Sequence, residues 1–237
     1  MKVLITAPLR QDLDIFLAYQ ESLDNLIIPE GVEVDRFYIV NDCPEVIPHI
    51  KGRYAIANSG EEYTKTGNDH IWSPYNLAKM PILRNRTIHE AWDYDYWFSV
   101  DTDLVLHPMT LKTLLEADKD IVSEVFWTQS PNGEWWCNAW MYDQCDMDGK
   151  EKKWRVPGLY QVGMTGACTL VKREVFGEAF DKVNYSPIPN IRRCLCGEDR
   201  WFSIRAAVLG YEMWLDTHYP ATHLYTRKDY EEWKSGR

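Results

Sequence analysis

The sequence predicts an α/β fold: a mostly parallel central sheet flanked by helices on both faces, in the Rossmann-like manner. Three observations predict it. Short apolar runs that stop at Pro, Asn or Asp alternate along the chain with segments whose apolar residues recur at helical spacing. Such alternation belongs to parallel strands joined by crossover helices. The 237 residues fill one large α/β domain and would cramp two, and no internal repeat, low-complexity tract or linker divides them.

Val3 to Ala7, ending at Pro8, reads as the first buried strand. Leu13, Phe16, Leu17, Gln20 and Leu23 give the helix after it, which Pro29 and Gly31 break. Val34 to Val40 is the second strand, stopped by Asn41-Asp42, and Tyr54 to Ala57 the third, closed by Asn58-Ser59-Gly60. A helix from Pro81 to Trp92 starts with Pro in its first turn, where a missing N–H costs little. Tyr96 to Val100 is the next strand and runs into Asp101-Thr102-Asp103. Pro108 opens a helix with Leu111, Leu114 and Leu115 on one face, and Asp120 to Phe126 is another strand. From Thr128 to Gly158 the pattern dissolves, so long connections are expected there. Gly163 to Val171 reads as one strand with Gly166 in its middle, Glu198 to Leu209 as a helix capped by Gly210, and Tyr211 to Asp216 as the last strand.

The formal charge of −10 argues against a nucleic-acid backbone as the main partner, because phosphate binding needs clustered Lys and Arg. No segment is long and apolar enough to span a bilayer. The start, MKVLITAPLRQD, has too short an apolar run for a signal peptide, which points to the cytosol. The six cysteines show no small-domain disulfide spacing and fit that compartment. Cys194-Leu195-Cys196 is half of a zinc pattern, without a second Cys-x-x-Cys or His pair to complete it.

Ligands of open α/β sheets bind beyond the carboxyl ends of the strands. That rule singles out Pro8 to Arg10, Asp42, Asp101 to Asp103, and Asp216 onward. Asp101-Thr102-Asp103 is the sharpest of these. Carboxylates two residues apart at a strand end are expected to point the same way and to repel unless a cation lies between them. A hard divalent ion, magnesium or manganese, bridging to a diphosphate would satisfy both. A solvated turn, which also favours Asp, accounts for the same residues.

Around that motif the chain resembles the GT-A glycosyltransferases. Leu83-Arg84-Asn85-Arg86 precedes the strand Tyr96-Trp97-Phe98-Ser99-Val100, which leads into Asp101-Thr102-Asp103-Leu104. Gly166-Ala167-Cys168-Thr169-Leu170-Val171 looks like the family's acceptor-side strand, and Gly197-Glu198-Asp199-Arg200 like its Glu-Asp motif. His223 follows Leu215-Asp216-Thr217 at the interval of a metal-binding His. The likeness covers residues 1–225 and implies a single domain: residues 1–105 a nucleotide-binding half, 106–225 an acceptor half, 226–237 a tail. Asn41-Asp42-Cys43-Pro44 departs from the Asp-Asp-Gly-Ser of one large branch, and the Gln-x-x-Arg-Trp motif of processive synthases is missing, which implies single sugar additions.

The resemblance implies roles. Asp101, Asp103 and His223 would hold Mn2+ or Mg2+, with His218 as competitor to His223. Thr6, Pro8, Arg10 and Asp42 would face the nucleotide of a UDP- or GDP-sugar, with Thr102 and with Arg84 on phosphate or on Asp101. Asp199 would be the general base for the acceptor hydroxyl and Glu198 a hydroxyl-positioning residue, although acidic residues also suit any helix start. Trp127, Trp135 and Trp136, with Gly166, would receive a carbohydrate or other hydroxyl acceptor; a satellite of core aromatics is the competing account. Two other functions share some features. A sugar nucleotidyltransferase needs a Gly-rich loop after the first strand, and Ala7 to Asp12 has no Gly. A non-catalytic carbohydrate-binding protein would suit the tryptophans but does not need strand-end carboxylates.

Overall fold

A computed structural model describes residues 1–58, 74–130, 132–141, 153–191 and 197–236, with residues 74–77 described by backbone alone. Cys145 and the Cys194/Cys196 pair lie outside them, while Cys43, Cys137 and Cys168 are free thiols. Among the described residues there are twelve strands: β1 Lys2–Leu9, β2 Glu33–Val40, β3 Arg53–Ile56, β4 Tyr96–Ser99, β5 Leu104–Val105, β6 Ile121–Gln129, β7 Trp135–Cys137, β8 Ala139–Trp140, β9 Leu159–Val162, β10 Met164–Thr165, β11 Thr169–Lys172 and β12 Met213–His223. The α-helices are α1 Leu13–Asp24, α2 Pro74–His89, α3 Thr110–Glu116, α4 Glu198–Val208 and α5 Arg227–Ser235.

The main sheet runs β3-β2-β1-β4-β11-β6-β12-β5, with β7 added to β6 and β9 to β12; β8 and β10 pair separately. Strands β3, β2, β1 and β4 are mutually parallel, as are β6 and β12, and β11 is inserted antiparallel between β4 and β6. Alternating side chains of the buried strands serve two cores, one on each face. Val3, Ile5, Ala7 and Leu9 of β1 pack with Phe16, Tyr19 and Leu23 of α1 and with Leu111 and Leu114 of α3. Leu4 of the same strand joins Trp97, Leu83 and Ile88 of α2, and Phe202 and Ala206 of α4 on the other face. Each large side chain so enclosed contributes roughly 1.5–3 kcal/mol over leaving it in water. Among the described residues no helix is long and apolar enough to cross a membrane.

Several expectations are corrected. Helix α2 begins at Pro74, so Pro81 lies inside it and not in its first turn. The stretch read as one strand from Gly163 to Val171 is two, β10 and β11, separated by a turn in which Ala167 (φ 48°) and Cys168 (φ 43°) are left-handed. The region from Thr128 to Gly158 holds the end of β6 and the short strands β7 and β8. Strand β12 continues past Asp216 to His223, across a register shift between Asp216 and Ala221. The tail is helix α5, started by a reciprocal capping box of Thr226 and Asp229 and docked through Tyr230 onto Ile15 and Ala18.

Candidate active site

The carboxyl ends of β1, β2, β4 and β6 form one edge of the sheet. Beyond β4, Asp101-Thr102-Asp103 is a turn closed by the Leu104 N–H donating to the Asp101 carbonyl at 3.1 Å. Because these residues are in a turn and not in an extended strand, the two carboxylates do not share a direction. Asp101 turns toward α2 and Asp103 toward β12, while Thr102 between them is buried.

Arg84, only 3% exposed, is the cation of the α2 side. Its Nη2 donates to both Asp101 oxygens at 3.0 and 3.1 Å, its Nη1 to the Ser99 hydroxyl at 3.2 Å, and its Nε lies 4.0 Å from Glu198 Oε1. Tyr185 lies beneath the guanidinium, 5.7 Å from ring centre to Cζ. Burial works against the charge, but Asp101 and then Asp199 outweigh it and hold the guanidinium far above its usual range. Asp199 opens α4. Burial, with Glu198 and Asp101 adding and Arg84 opposing, pushes its carboxyl up to about 7. Gly166 makes room for that carboxyl: a Cβ there would sit 2.5 Å from Asp199 Oδ2.

On the other side of the turn, His223 Nε2 lies 3.4 Å from Asp103 Oδ2. Its Nδ1 is 2.7 Å from the Thr128 hydroxyl, and its ring meets the edge of Phe126 at 4.7 Å. His218 is elsewhere, bonded through Nδ1 to Asp216 at 3.0 Å. Among the described residues no three His, Cys, Asp or Glu side chains converge on one point. A carboxylate facing an imidazole, both mostly enclosed, nonetheless fits Mn2+, which takes oxygen and imidazole ligands and fills its remaining positions from phosphate or water.

At the ends of β1 and β2, Asp42 adopts φ 56° and lies 3.9 Å from Arg10 Nη1, and its N–H donates to Asn58 Oδ1 at 3.2 Å. Asp tolerates that left-handed backbone better than most residues. Pro8 is half-buried beside them, whereas Thr6 is fully enclosed within the sheet, below the ligand edge. Lys79 of α2 reaches the same place, donating to Asn41 Oδ1 and, at 2.8 Å, to the Ala57 carbonyl.

The tryptophans separate. In the β6–β7 ladder Trp127 opposes Cys137, Thr128 opposes Trp136 and Gln129 opposes Trp135, so Trp136 stands on the His223 side and Trp135 on the other. Trp135 and Trp136 are 51% and 62% exposed, while Arg155 covers Trp127 at 3.9 Å.

Sequence reasoning missed several residues. Lys79 and Thr128 are of ordinary type and gain their place from tertiary register. Asn138 clamps the turn after β10: its side-chain amide donates to the Gly166 and Glu124 carbonyls at 3.0 Å each, and its Oδ1 accepts from Phe126 N–H at 3.0 Å. The hydroxyls of Ser123, Thr165 and Thr169 bond one another beneath that turn. Glu124, fully buried beside Asp216, is pushed up to about 9 by burial first and by Asp216 second.

No protein-family model matches the chain, and no curated protein matches it by sequence. Solved structures do match. The chain is similar to S. aureus TarS 1-349 at 13% identity and a TM-score of 0.55, over 98% of this chain and 63% of that one. It is similar to the mannosyltransferase PcManGT from Pyrobaculum calidifontis, in complex with GDP-Man and Mn2+, at 12% identity and a TM-score of 0.55, over 98% and 59%. GalNAc-T7 with UDP, GalNAc and Mn2+ matches at 10% identity and a TM-score of 0.59, over 96% and 44%. The chain thus spans 63% or less of each of these structures. At such identities the likeness is one of fold, and the fold of this chain is GT-A.

Proposed function

We propose that the chain is a metal-dependent glycosyltransferase that moves a single sugar from a UDP- or GDP-sugar to the hydroxyl of a carbohydrate or other acceptor. The observation that carries this reading is one turn, Asp101-Thr102-Asp103, with the Arg84–Asp199 cluster on one side and the Asp103–His223 pair on the other. Asp103 and His223 would hold the metal, while Arg84 occupies both oxygens of Asp101. The bound Mn2+ or Mg2+ supplies a Lewis acid that neutralises charge on the departing nucleoside diphosphate.

Asp42, with Arg10 and Pro8 beside it, faces the base and ribose. Asp199 removes the proton of the acceptor hydroxyl as that oxygen bonds to the sugar C1; the C1–O bond to the diphosphate breaks and its electron pair leaves with the phosphate oxygen. Glu198 positions hydroxyls. The exposed ring of Trp136, on the His223 side of the sheet, offers an apolar surface to an acceptor sugar. We place the reaction in the cytosol, where the free thiols of Cys43, Cys137 and Cys168 are at home.

Thermal shift with UDP, GDP and CMP sugars, each with Mn2+ and with EDTA, tests the reading. A ligand that binds only the native state raises its apparent stability. UDP or GDP compounds should raise the melting temperature with Mn2+ and lose most of that rise with EDTA. Equal shifts under both conditions would sink the metal assignment.

A further inference from the structure

We propose that Thr128 is a positioning residue for the metal: its hydroxyl accepts the Nδ1 proton of His223 and so keeps Nε2 free to ligate. The inference rests on reading Asp103 and His223 as the metal ligands and adds a residue that the reading did not include.

The neighbourhood is fixed by strand register. Ala221 of β12 lies beside Phe126 of β6, so two residues further on His223 lies beside Thr128 on the same face. Phe126 and Tyr225 flank the imidazole at 4.7 and 5.2 Å between ring centres, which leaves its two nitrogens to select its orientation. Nε2 addresses Asp103 at 3.4 Å and Nδ1 addresses Thr128 at 2.7 Å. Turning the ring over would put carbon where each nitrogen now lies.

A neutral imidazole carries one proton, so one nitrogen donates and the other accepts. Without metal, Nε2–H can donate to Asp103 while Nδ1 accepts the threonine O–H. With metal, Nε2 must present its lone pair, so the proton has to be on Nδ1 and needs an acceptor. The threonine oxygen has the lone pairs to be that acceptor, and the hydroxyl hydrogen rotates away. The same contact therefore serves both states, with its direction reversed. Partners of this kind fix the tautomer of ligating histidines, and losing one typically costs about 10–100-fold in metal affinity.

The test titrates Mn2+ into the full chain with UDP, and in parallel with GDP, and reads free Mn2+ by electron paramagnetic resonance. Thr128→Val keeps the branched shape and the strand preference but removes the acceptor; Thr128→Ser restores it. Thr128→Val should raise the Mn2+ dissociation constant about 10–100-fold, with only a small fall in melting temperature from the lost hydrogen bond, and Thr128→Ser should restore the parent's affinity. Long-range 1H–15N spectra supply a signature that a packing role would not move: on adding Mg2+ with UDP, His223 should convert from its Nε2–H to its Nδ1–H form in the parent and in Thr128→Ser at metal concentrations that leave Thr128→Val largely unconverted. Equal Mn2+ affinity in Thr128→Val, or the same weakening in Thr128→Ser, overturns the inference while the parent site stands. Asp103→Asn separates the two ideas. If that change leaves Mn2+ affinity intact, the metal site itself is misplaced and the inference falls with it.

Discussion

Gly166→Ala is the most economical probe of Asp199, because it alters the base without touching its chemistry. The new methyl would lie 2.5 Å from Asp199 Oδ2 and 3.1 Å from its Cγ. Carbon and oxygen rest about 3.3 Å apart or more even in favourable weak contacts, so the carboxylate has to retreat by nearly 1 Å. Gly166 does not have a left-handed backbone, so alanine meets no conformational penalty there and can gain about 0.4–1 kcal/mol by restricting the unfolded chain. The strain falls on the Asp199 side chain, whose displacement by about 1 Å is enough to cost on the order of 10²-fold in rate. In the proposed reading the nucleotide and metal contacts come from Asp42, Asp103 and His223 on other elements, so Mn2+-dependent nucleotide affinity should not change. Single-turnover transfer, measured with the donor found by thermal shift, reads the first quantity, and calorimetry with UDP or GDP and Mn2+ reads the second. Retention of the rate within twofold, with the carboxylate displaced, would refute the view that Asp199 touches the reacting hydroxyl.

Asp199→Asn should lower the rate by about 10²–10⁴-fold and remove the low-pH limb of the parent's profile, in which activity rises as the carboxyl ionises near pH 7. The same variant should be more stable than the parent above that pH: the native state holds this proton up to about 7, the unfolded chain releases it near the ordinary carboxylate value, and ionising the buried group between those values costs stability. A denaturation series from pH 4 to 8 in which the two proteins keep a constant difference would contradict this. Glu124→Gln should be close to neutral near pH 4, where the glutamate carries its proton in both states, and increasingly stabilising as pH rises from the ordinary carboxylate range to about 9, where the gain levels off. Arg84→Ala should destabilise the protein in urea denaturation, by less than the roughly 3–5 kcal/mol of a fully buried pair, because Asp101 and Glu198 are only partly enclosed.

Much of the fold was legible because buried parallel strands write themselves as apolar runs, as β1, β2 and β4 do. The failures have physical causes. Gly163 to Val171 looks continuous because nothing in Ala167 or Cys168 advertises a left-handed backbone; the Asn138 amide and the hydroxyls of Ser123, Thr165 and Thr169 hold them there. Pro220 and the polar Thr217-His218 hid the continuation of β12, whose register shift accommodates them. The tail was readable and was passed over: Thr226 followed three residues later by Asp229 is a capping-box spacing. At the site, the strand-end rule found the residue types, but the shared direction of Asp101 and Asp103 presumed a strand where the chain makes a turn. Lys79 and Thr128 were out of reach, since only the pairing of distant elements gives them partners.

That turn resolves a conflict built into the cluster. Asp101, Glu198 and Asp199 all act on Arg84, and a carboxylate that wins a guanidinium is held down in pKa and becomes a poor base. A base serves best when its pKa lies near the working pH. Had Asp101 pointed with Asp103 toward the metal, Nη2 of Arg84 would be open to Asp199, and each unit of pKa lost there would cost Asp199 about 1.4 kcal/mol of proton affinity. Instead both Asp101 oxygens take Nη2, and burial then governs Asp199 and raises it to about 7. On this account Asp101 serves the base before it serves the metal. Asp101→Asn should then shift the pH profile of transfer to lower pH, as Arg84 turns its charge on Asp199, and should leave Mn2+ affinity nearly as it was. A variant that loses Mn2+ binding and keeps the parent's pH profile would return Asp101 to the metal.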